Sequence, residues 1–227
     1  MRTAAILPVK RFAHAKQRLG ASITEPLRAR LAAAMVSDVL AAAGRSARIE
    51  RTIVVTAERS VAREASSHGA LVLDDSAQSG QSQAVGIGVA HALAEGYERV
   101  LCIPGDCPGL EPAELDRLLD APAVAPEVVI VPDRHGTGTN GLLLTPPGVI
   151  AASFGPGSCE RHLALARAAG VSSRLEQVPS LLLDVDTGED LAVLRTRLAG
   201  SSESAARTRA VLGSGERHPI LSTSTSA

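Results

Sequence analysis

Arg99-Val100-Leu101-Cys102-Ile103-Pro104-Gly105-Asp106-Cys107-Pro108 is the stretch that decides the fold. Its first half is almost wholly apolar and stops at Pro104-Gly105. A run this short and apolar, closed by turn formers, reads as a central strand covered on both faces, the habit of parallel sheets. Asp106 then stands just past the carboxyl end of that strand. A carboxylate placed there is costly without a partner. Two partners suit it: a divalent cation, since hard cations take oxygen ligands, or nearby backbone amides in a plain Asx turn.

Working outward, Thr3 to Val9 reads as another buried strand, followed by a basic loop from Lys10 to Gly20. Ser22 and Glu25 have capping-box spacing before a helix whose face is marked by Leu27, Leu31, Met35 and Val39. Strands are predicted at 52–56, 70–73, 128–131 and 141–144, and helices at 60–68, 84–95, 111–121, 159–169 and 189–198. Two short extended pieces are expected near 174–178 and 181–183. This alternation implies an α/β domain over residues 1–199, a mostly parallel sheet with helices on both faces. From residue 200 the apolar period fades into Ser, Thr, Ala and Gly, so 200–227 reads as a disordered tail, with a helix around 205–212 as the other reading.

Composition narrows the partners. The chain has 227 residues, 45% hydrophobic and only 1% aromatic, so aliphatic side chains must build the core. That scarcity argues against base-stacking surfaces, and a net charge of −1 argues against a nucleic-acid footprint. Cys102, Cys107 and Cys159 are odd in number and contain no CxxC, which favours buried thiols over a disulfide framework or a zinc site. No signal peptide and no membrane-length apolar run is legible. The expectation is a cytoplasmic protein that binds neither nucleic acid nor membrane.

Ligands of open α/β sheets bind beyond the carboxyl ends of the strands. Lys10, Arg11, Lys16 and Arg18 crowd the loop after the first strand, where they suit a polyphosphate or form an ordinary solvated loop. In Asp184-Val185-Asp186 an extended backbone would aim both carboxylates to one face. Such a pair can hold Mg²⁺, although Asp186 and Glu189 also have the spacing of a capping box for the last helix. Gly136-Thr137-Gly138-Thr139-Asn140-Gly141 matches GxGxxG by letter but opens no helix, so an anion-binding turn is the better reading. Ser158, after Phe154-Gly155-Pro156-Gly157, can cap a helix whose free amides would meet an anion. Among the six histidines only His162, near Ser158, draws interest. There is no P-loop, HExxH or GxSxG.

These segments, in this order, resemble the guanylyltransferases that act on 2-phospholactate or phosphoenolpyruvate in coenzyme F(420) biosynthesis. The resemblance runs through Ile6-Leu7-Pro8-Val9-Lys10, Ala15-Lys16-Gln17-Arg18-Leu19, Gly105-Asp106-Cys107-Pro108, Gly138-Thr139-Asn140-Gly141, Phe154-Gly155-Pro156-Gly157-Ser158 and Asp184-Val185-Asp186-Thr187. It implies a single Rossmann-like nucleotidyltransferase domain, transfer of GMP from GTP and release of pyrophosphate. It implies Mg²⁺ on Asp106, Asp184 and Asp186, the phosphorylated acid at Thr139, Gly155 and Ser158, and the triphosphate facing Lys10, Lys16 and Arg18. A downstream transferase would take the unstable product. One departure stands out. Gly80-Gln81-Ser82-Gln83 replaces a Leu-Asn usual in the family, and is similar to transferases that use CTP or GTP on molybdenum cofactors. That enzyme class, a non-catalytic nucleotide-binding module and a glycosyl transferase are the alternatives.

Overall fold

The computed structural model describes residues 1–12, 19, 23–122, 124–200 and 204–215. Its seven-stranded sheet has the order β3-β2-β1-β4-β6-β5-β7. The strands are β1 (Thr3–Val9), β2 (Arg51–Thr56), β3 (Leu71–Asp74), β4 (Arg99–Cys102), β5 (Glu127–Pro132), β6 (Thr139–Thr145) and β7 (Ser172–Leu175). All pair in parallel except β6, which runs antiparallel to both β4 and β5. The helices are α1 (Glu25–Arg45), α2 (Arg59–Ser67), α3 (Gln81–Ala94), α4 (Pro112–Asp120), α5 (Ser158–Ala168), α6 (Gly188–Ala199) and α7 (Ala206–Gly215).

Period-2 alternation of the strands divides the core. Leu7, Val54, Leu101 and Val129 point to the face covered by α1, α2 and α4. Ile6, Ile53, Val100 and Ile130 point to the opposite face, under α3 and α5. Both faces are therefore buried, as the apolar runs required. On the second face α3 lies very close to β1. A Cβ at Gly88 would fall 2.7 Å from Ile6 Cγ2, so only glycine fits that crossing. A third apolar cluster joins Leu31 and Met35 of α1 to Val185, to Leu191 and Leu194 of α6, and to Leu212 of α7.

The helix allowed for near 205–212 is thus present as α7, docked on α1. Asp38 of α1 accepts the backbone N–H groups of Arg207 (3.0 Å) and Thr208 (2.8 Å), supplying acceptors for the first turn of a helix remote in sequence. Residues 201–203 and 216–227 lie outside the described residues.

Three local expectations change. Helix α1 starts at Glu25 with Thr24 at the N-cap position and Pro26 in the first turn, and Thr24 makes no side-chain cap bond. Glu25 is therefore too early to close a capping box, and Ser22 lies outside the described residues. The segment expected to be extended at 181–183 is instead entered by a 3₁₀ turn, Pro179–Leu181, in which proline pre-sets the φ of the first position. The capping box of α6 is built by Thr187 and Asp190, not by Asp186 and Glu189. Burial of Val185 and Leu191 fixes that frame one residue later. All three cysteines are buried, as expected, and burial pushes the Cys102 thiol up to about 12. Among the described residues no helix is long and apolar enough to cross a membrane.

Candidate active site

The strand ends of β1 and β4 open into a cleft of about 310 Å³. Met35 and Val36 of α1 form one wall. Lys10, Asp106 and Asp186 lie along the rim of charge. Glycine precedes Asp106 because α1 passes close by; a Cβ on Gly105 would meet Val36 Cγ2 at 3.0 Å.

Asp106 and the 184–186 segment, far apart in sequence, are joined at the backbone. The N–H of Val185 donates to the carbonyl of Asp106 at 3.1 Å. This bond buries Val185 and leaves Asp184 and Asp186 on either side of it. Burial, then the charge of Asp106, then that of Asp186, raise the Asp184 carboxyl above its ordinary range, while a hydrogen bond from Asn140 opposes the rise. Asn140 Nδ2 donates to Asp184 Oδ1 (3.2 Å) and to the Leu181 carbonyl (2.7 Å), tying β6 to the acidic loop.

That loop is clamped from its other end. Asp190 Oδ2 accepts the N–H groups of Asp186 (3.1 Å) and Thr187 (2.7 Å) and the Thr187 hydroxyl (2.8 Å). Arg134, from the β5–β6 turn, meets Asp190 Oδ1 at 2.7 Å and donates its backbone N–H to the Leu182 carbonyl. These bonds hold the Asp190 carboxyl below its ordinary range despite burial.

The donor set suits a hard divalent cation. Like charges meet at one strand end, and the Asp184 carboxyl is raised first by burial and then by the charges of Asp106 and Asp186, a cost that a cation relieves. Among the described residues, no three acidic, histidine or cysteine groups close into a coordination shell on their own. Mg²⁺ characteristically takes only one or two carboxylates and completes its octahedron with phosphate oxygens and water.

Toward the other side of the sheet, Thr139 begins β6 and Ser158 begins α5. Because β6 is antiparallel, its first residue reaches the edge where β4 ends. Ser158 is 1% exposed, and its hydroxyl donates to Thr139 Oγ1 at 3.1 Å. It is the first helical residue rather than the cap: Gly157, at φ +71°, takes the N-cap position, a left-handed conformation that suits glycine. His162 stands behind this pair with its Nδ1 3.1 Å from Thr139 Oγ1. The N–H of Ser153 donates to His162 Nε2 at 2.9 Å. The neutral ring must then carry its proton on Nδ1 and donate to Thr139. Burial, with the neighbouring Arg161 charge, lowers the His162 pKa to about 4. Gly155, at φ +112°, lies in the turn before α5.

The structure thus sets Asp106, Asp186 and Lys10 in one cleft and keeps Asp184, which does not line it, within electrostatic reach of both carboxylates. It pairs Thr139 with Ser158 as a buried couple behind the cleft rather than in its wall. Lys16 and Arg18 lie outside the described residues. Sequence reasoning passed over Arg134 and Asp190 as functional groups, and quoted Asn140 without giving it a role. Their roles depend on contacts between segments that no local spacing announces.

Residues 3–207 match a family model described as "Guanylyl transferase CofC like". The chain is 50% identical over 213 residues to a phosphoenolpyruvate guanylyltransferase of Conexibacter woesei, covering 93% of this chain and 96% of that protein. It is 40% identical over 190 residues to the protein of the same name from Rubrobacter xylanophilus, covering 84% and 92%. It is 36% identical over 191 residues to a 2-phospho-L-lactate guanylyltransferase of Methanothermobacter thermautotrophicus, covering 84% and 83%. Among solved structures, a nucleotidyl transferase of the same Methanothermobacter species superposes with a TM-score of 0.64 at 20% identity, covering 88% of this chain and 99% of that one. A 4-diphosphocytidyl-2C-methyl-D-erythritol synthase gives 0.60 at 18%, covering 87% and 98%. At such identities these two likenesses speak to the fold alone.

Proposed function

The chain belongs to the CofC-like guanylyl transferase family, and from that premise we propose that it transfers GMP from GTP to phosphoenolpyruvate, releasing pyrophosphate, in coenzyme F(420) biosynthesis. The observation that carries the site is the Val185 N–H bond to the Asp106 carbonyl, which joins the 184–186 segment to the end of β4 and sets Asp106 and Asp186 in one cleft with Lys10. The names of the 50% and 40% identical relatives favour phosphoenolpyruvate as the acceptor. 2-Phospho-L-lactate is the second reading, favoured by the name of the 36% identical relative.

An oxygen of the acceptor phosphate attacks the α-phosphorus of GTP, and pyrophosphate leaves in line. The acceptor is already an anion, so no side chain need remove a proton. The obstacle is bringing two anions into contact. Lys10 offsets part of that repulsion at the triphosphate, and Lys16 and Arg18 are assigned the same task. The acid's phosphate is assigned to the turn at Gly155, which Ser158 braces through its backbone N–H while Ser158 and Thr139 pair behind it, with Thr139 held in place by the Nδ1–H of His162. Asp106, Asp184 and Asp186 would hold Mg²⁺, which would supply positive charge against the phosphate oxygens and the leaving pyrophosphate. Asn140 holds the Asp184 carboxylate through its side-chain amide, and Asp190 holds the backbone of Asp186.

The test is a coupled assay in which a downstream transferase traps the product, run with phosphoenolpyruvate, 2-phospholactate and 3-phosphoglycerate in parallel. Phosphoenolpyruvate should give the highest kcat/KM. Asp106→Asn should retain the native circular dichroism spectrum but lose roughly 10²–10³ in kcat, the scale set by loss of one positioned electrostatic group. Full turnover by this variant at saturating Mg²⁺ would remove Asp106 from the site.

A further inference from the structure

We propose that Asp75 reads the guanine base, so that GTP is selected at the β3 end of the cleft. The proposal rests on the guanylyl-transfer reading and adds to it the group that tells GTP from other nucleotides.

Asp75 directly follows β3 and is only 5% exposed, yet it lines the cleft. Its backbone is fully used: the N–H donates to the Thr56 carbonyl at 3.3 Å, and the carbonyl accepts the N–H of Gln78 at 3.1 Å. Its carboxylate is not. Among the described residues no hydrogen bond or ion pair engages it. It does not cap α3 either; Gly80 holds that position, with no side-chain cap bond. The carboxylate therefore faces the cleft with its acceptor oxygens unused by the described residues, ready for a ligand that brings donors.

The sheet order says which part of the ligand that is. Going from β3 through β2 and β1 to β4 crosses three strand spacings, roughly 14 Å at about 4.8 Å each. Asp75 thus stands away from Asp106 along the sheet edge, as the base of a nucleotide stands away from its phosphates. Thr139 and Ser158 lie beyond Asp106 in the other direction, one strand further on. Base, phosphates and acid therefore fall in that order along one edge.

The chemistry then selects the base. A carboxylate offers two acceptor oxygens and no donor. Guanine has two neighbouring donors on its pairing edge, N1–H and the exocyclic N2–H₂. Adenine and cytosine place a ring-nitrogen lone pair beside their amino group, which would face the carboxylate repulsively. Uracil offers a single N–H between two carbonyls.

The experiment is isothermal titration calorimetry of the full chain with Mg²⁺ and, separately, GTP, ITP, XTP and ATP. ITP lacks the 2-amino group, and XTP replaces it with a carbonyl. The wild type should bind GTP at least about 10-fold more tightly than ITP. Asp75→Asn should lose roughly 10–100-fold in GTP affinity, the range of one bidentate base contact. It should gain XTP binding, because the asparagine N–H₂ can face the new carbonyl while its oxygen keeps N1–H. Equal affinity of the wild type for GTP and ITP would overturn the assignment. So would a variant that weakens every nucleotide alike without gaining XTP. Selective GTP binding that follows Asp75, with no pyrophosphate released from any of the three acids, would instead sink the transfer reaction and leave the base assignment standing.

Discussion

At the scale of single residues, His162 shows how an ionisable group can be kept out of acid–base work. It is 0% exposed, its Nε2 accepts from Ser153, and Phe154 packs edge-on against its ring at 5.2 Å. Protonation would destroy the bond from Ser153. The folded pKa of about 4 lies below the ordinary 6.5, so between these values the unfolded chain binds a proton that the folded chain refuses. Stability from this ring is complete above about pH 6.5 and is lost as the pH falls toward 4, by up to roughly 3 kcal/mol. Urea unfolding of wild type and His162→Gln across that range should show the gap between them changing with pH; a constant gap would contradict the buried neutral ring. His162 was legible only as a histidine near Ser158, because its partners arrive from Thr139 and Ser153. Asp106, by contrast, could be picked out because it terminates an unmistakable apolar strand. Asp75 could not, since Asp74-Asp75 followed by Ser, Ala and Gln looks like any solvated turn.

Among the elements, α3 depends on glycine in two opposite ways. Gly88 faces Ile6 across a contact too close for any side chain, whereas Gly86, on the exposed side of the same helix, has nothing within 4 Å of a Cβ. Gly88→Ala should destabilise by about 1–3 kcal/mol through overpacking, outweighing its gain in helix propensity. Gly86→Ala should stabilise by about 0.5–1 kcal/mol. Chemical denaturation of both variants checks the pair, and equal effects would mean α3 does not lie where described. Strands were readable because their apolar runs need burial on both faces. The start of α6 was not, because Asp186…Glu189 and Thr187…Asp190 are two overlapping capping frames. Only the burial of Val185 against the core separates them.

For the whole molecule, the segment after residue 200 is more than a trailing end. α7 buries Leu212 and uses Asp38 of α1 as an acceptor for its first turn. Ending the chain at Gly200 would strip one large aliphatic contact, worth about 2 kcal/mol, and leave Asp38 without donors, a further cost of about 1 kcal/mol. Differential scanning calorimetry should find the midpoint lowered by roughly 6–12 °C. An unchanged midpoint would show that α7 adds nothing to the fold. The low hydrophobic contrast of Ala206 to Gly215 hid this helix, since its docking combines a few small apolar contacts at Ala205, Val211 and Leu212 with the distant carboxylate of Asp38.

Because β6 runs against its neighbours, residues 127–145 form one continuous hairpin whose tip delivers Thr139 and Asn140. The groups assigned to the nucleotide come from three separated stretches on the other half of the sheet. The same hairpin also carries Arg134 and Asn140, which brace the acidic loop, so residues that meet the acid and residues that steady the cation ligands share one short stretch of chain. Changes that suit a new acid are therefore expected to be accompanied by compensating changes in the 184–190 loop.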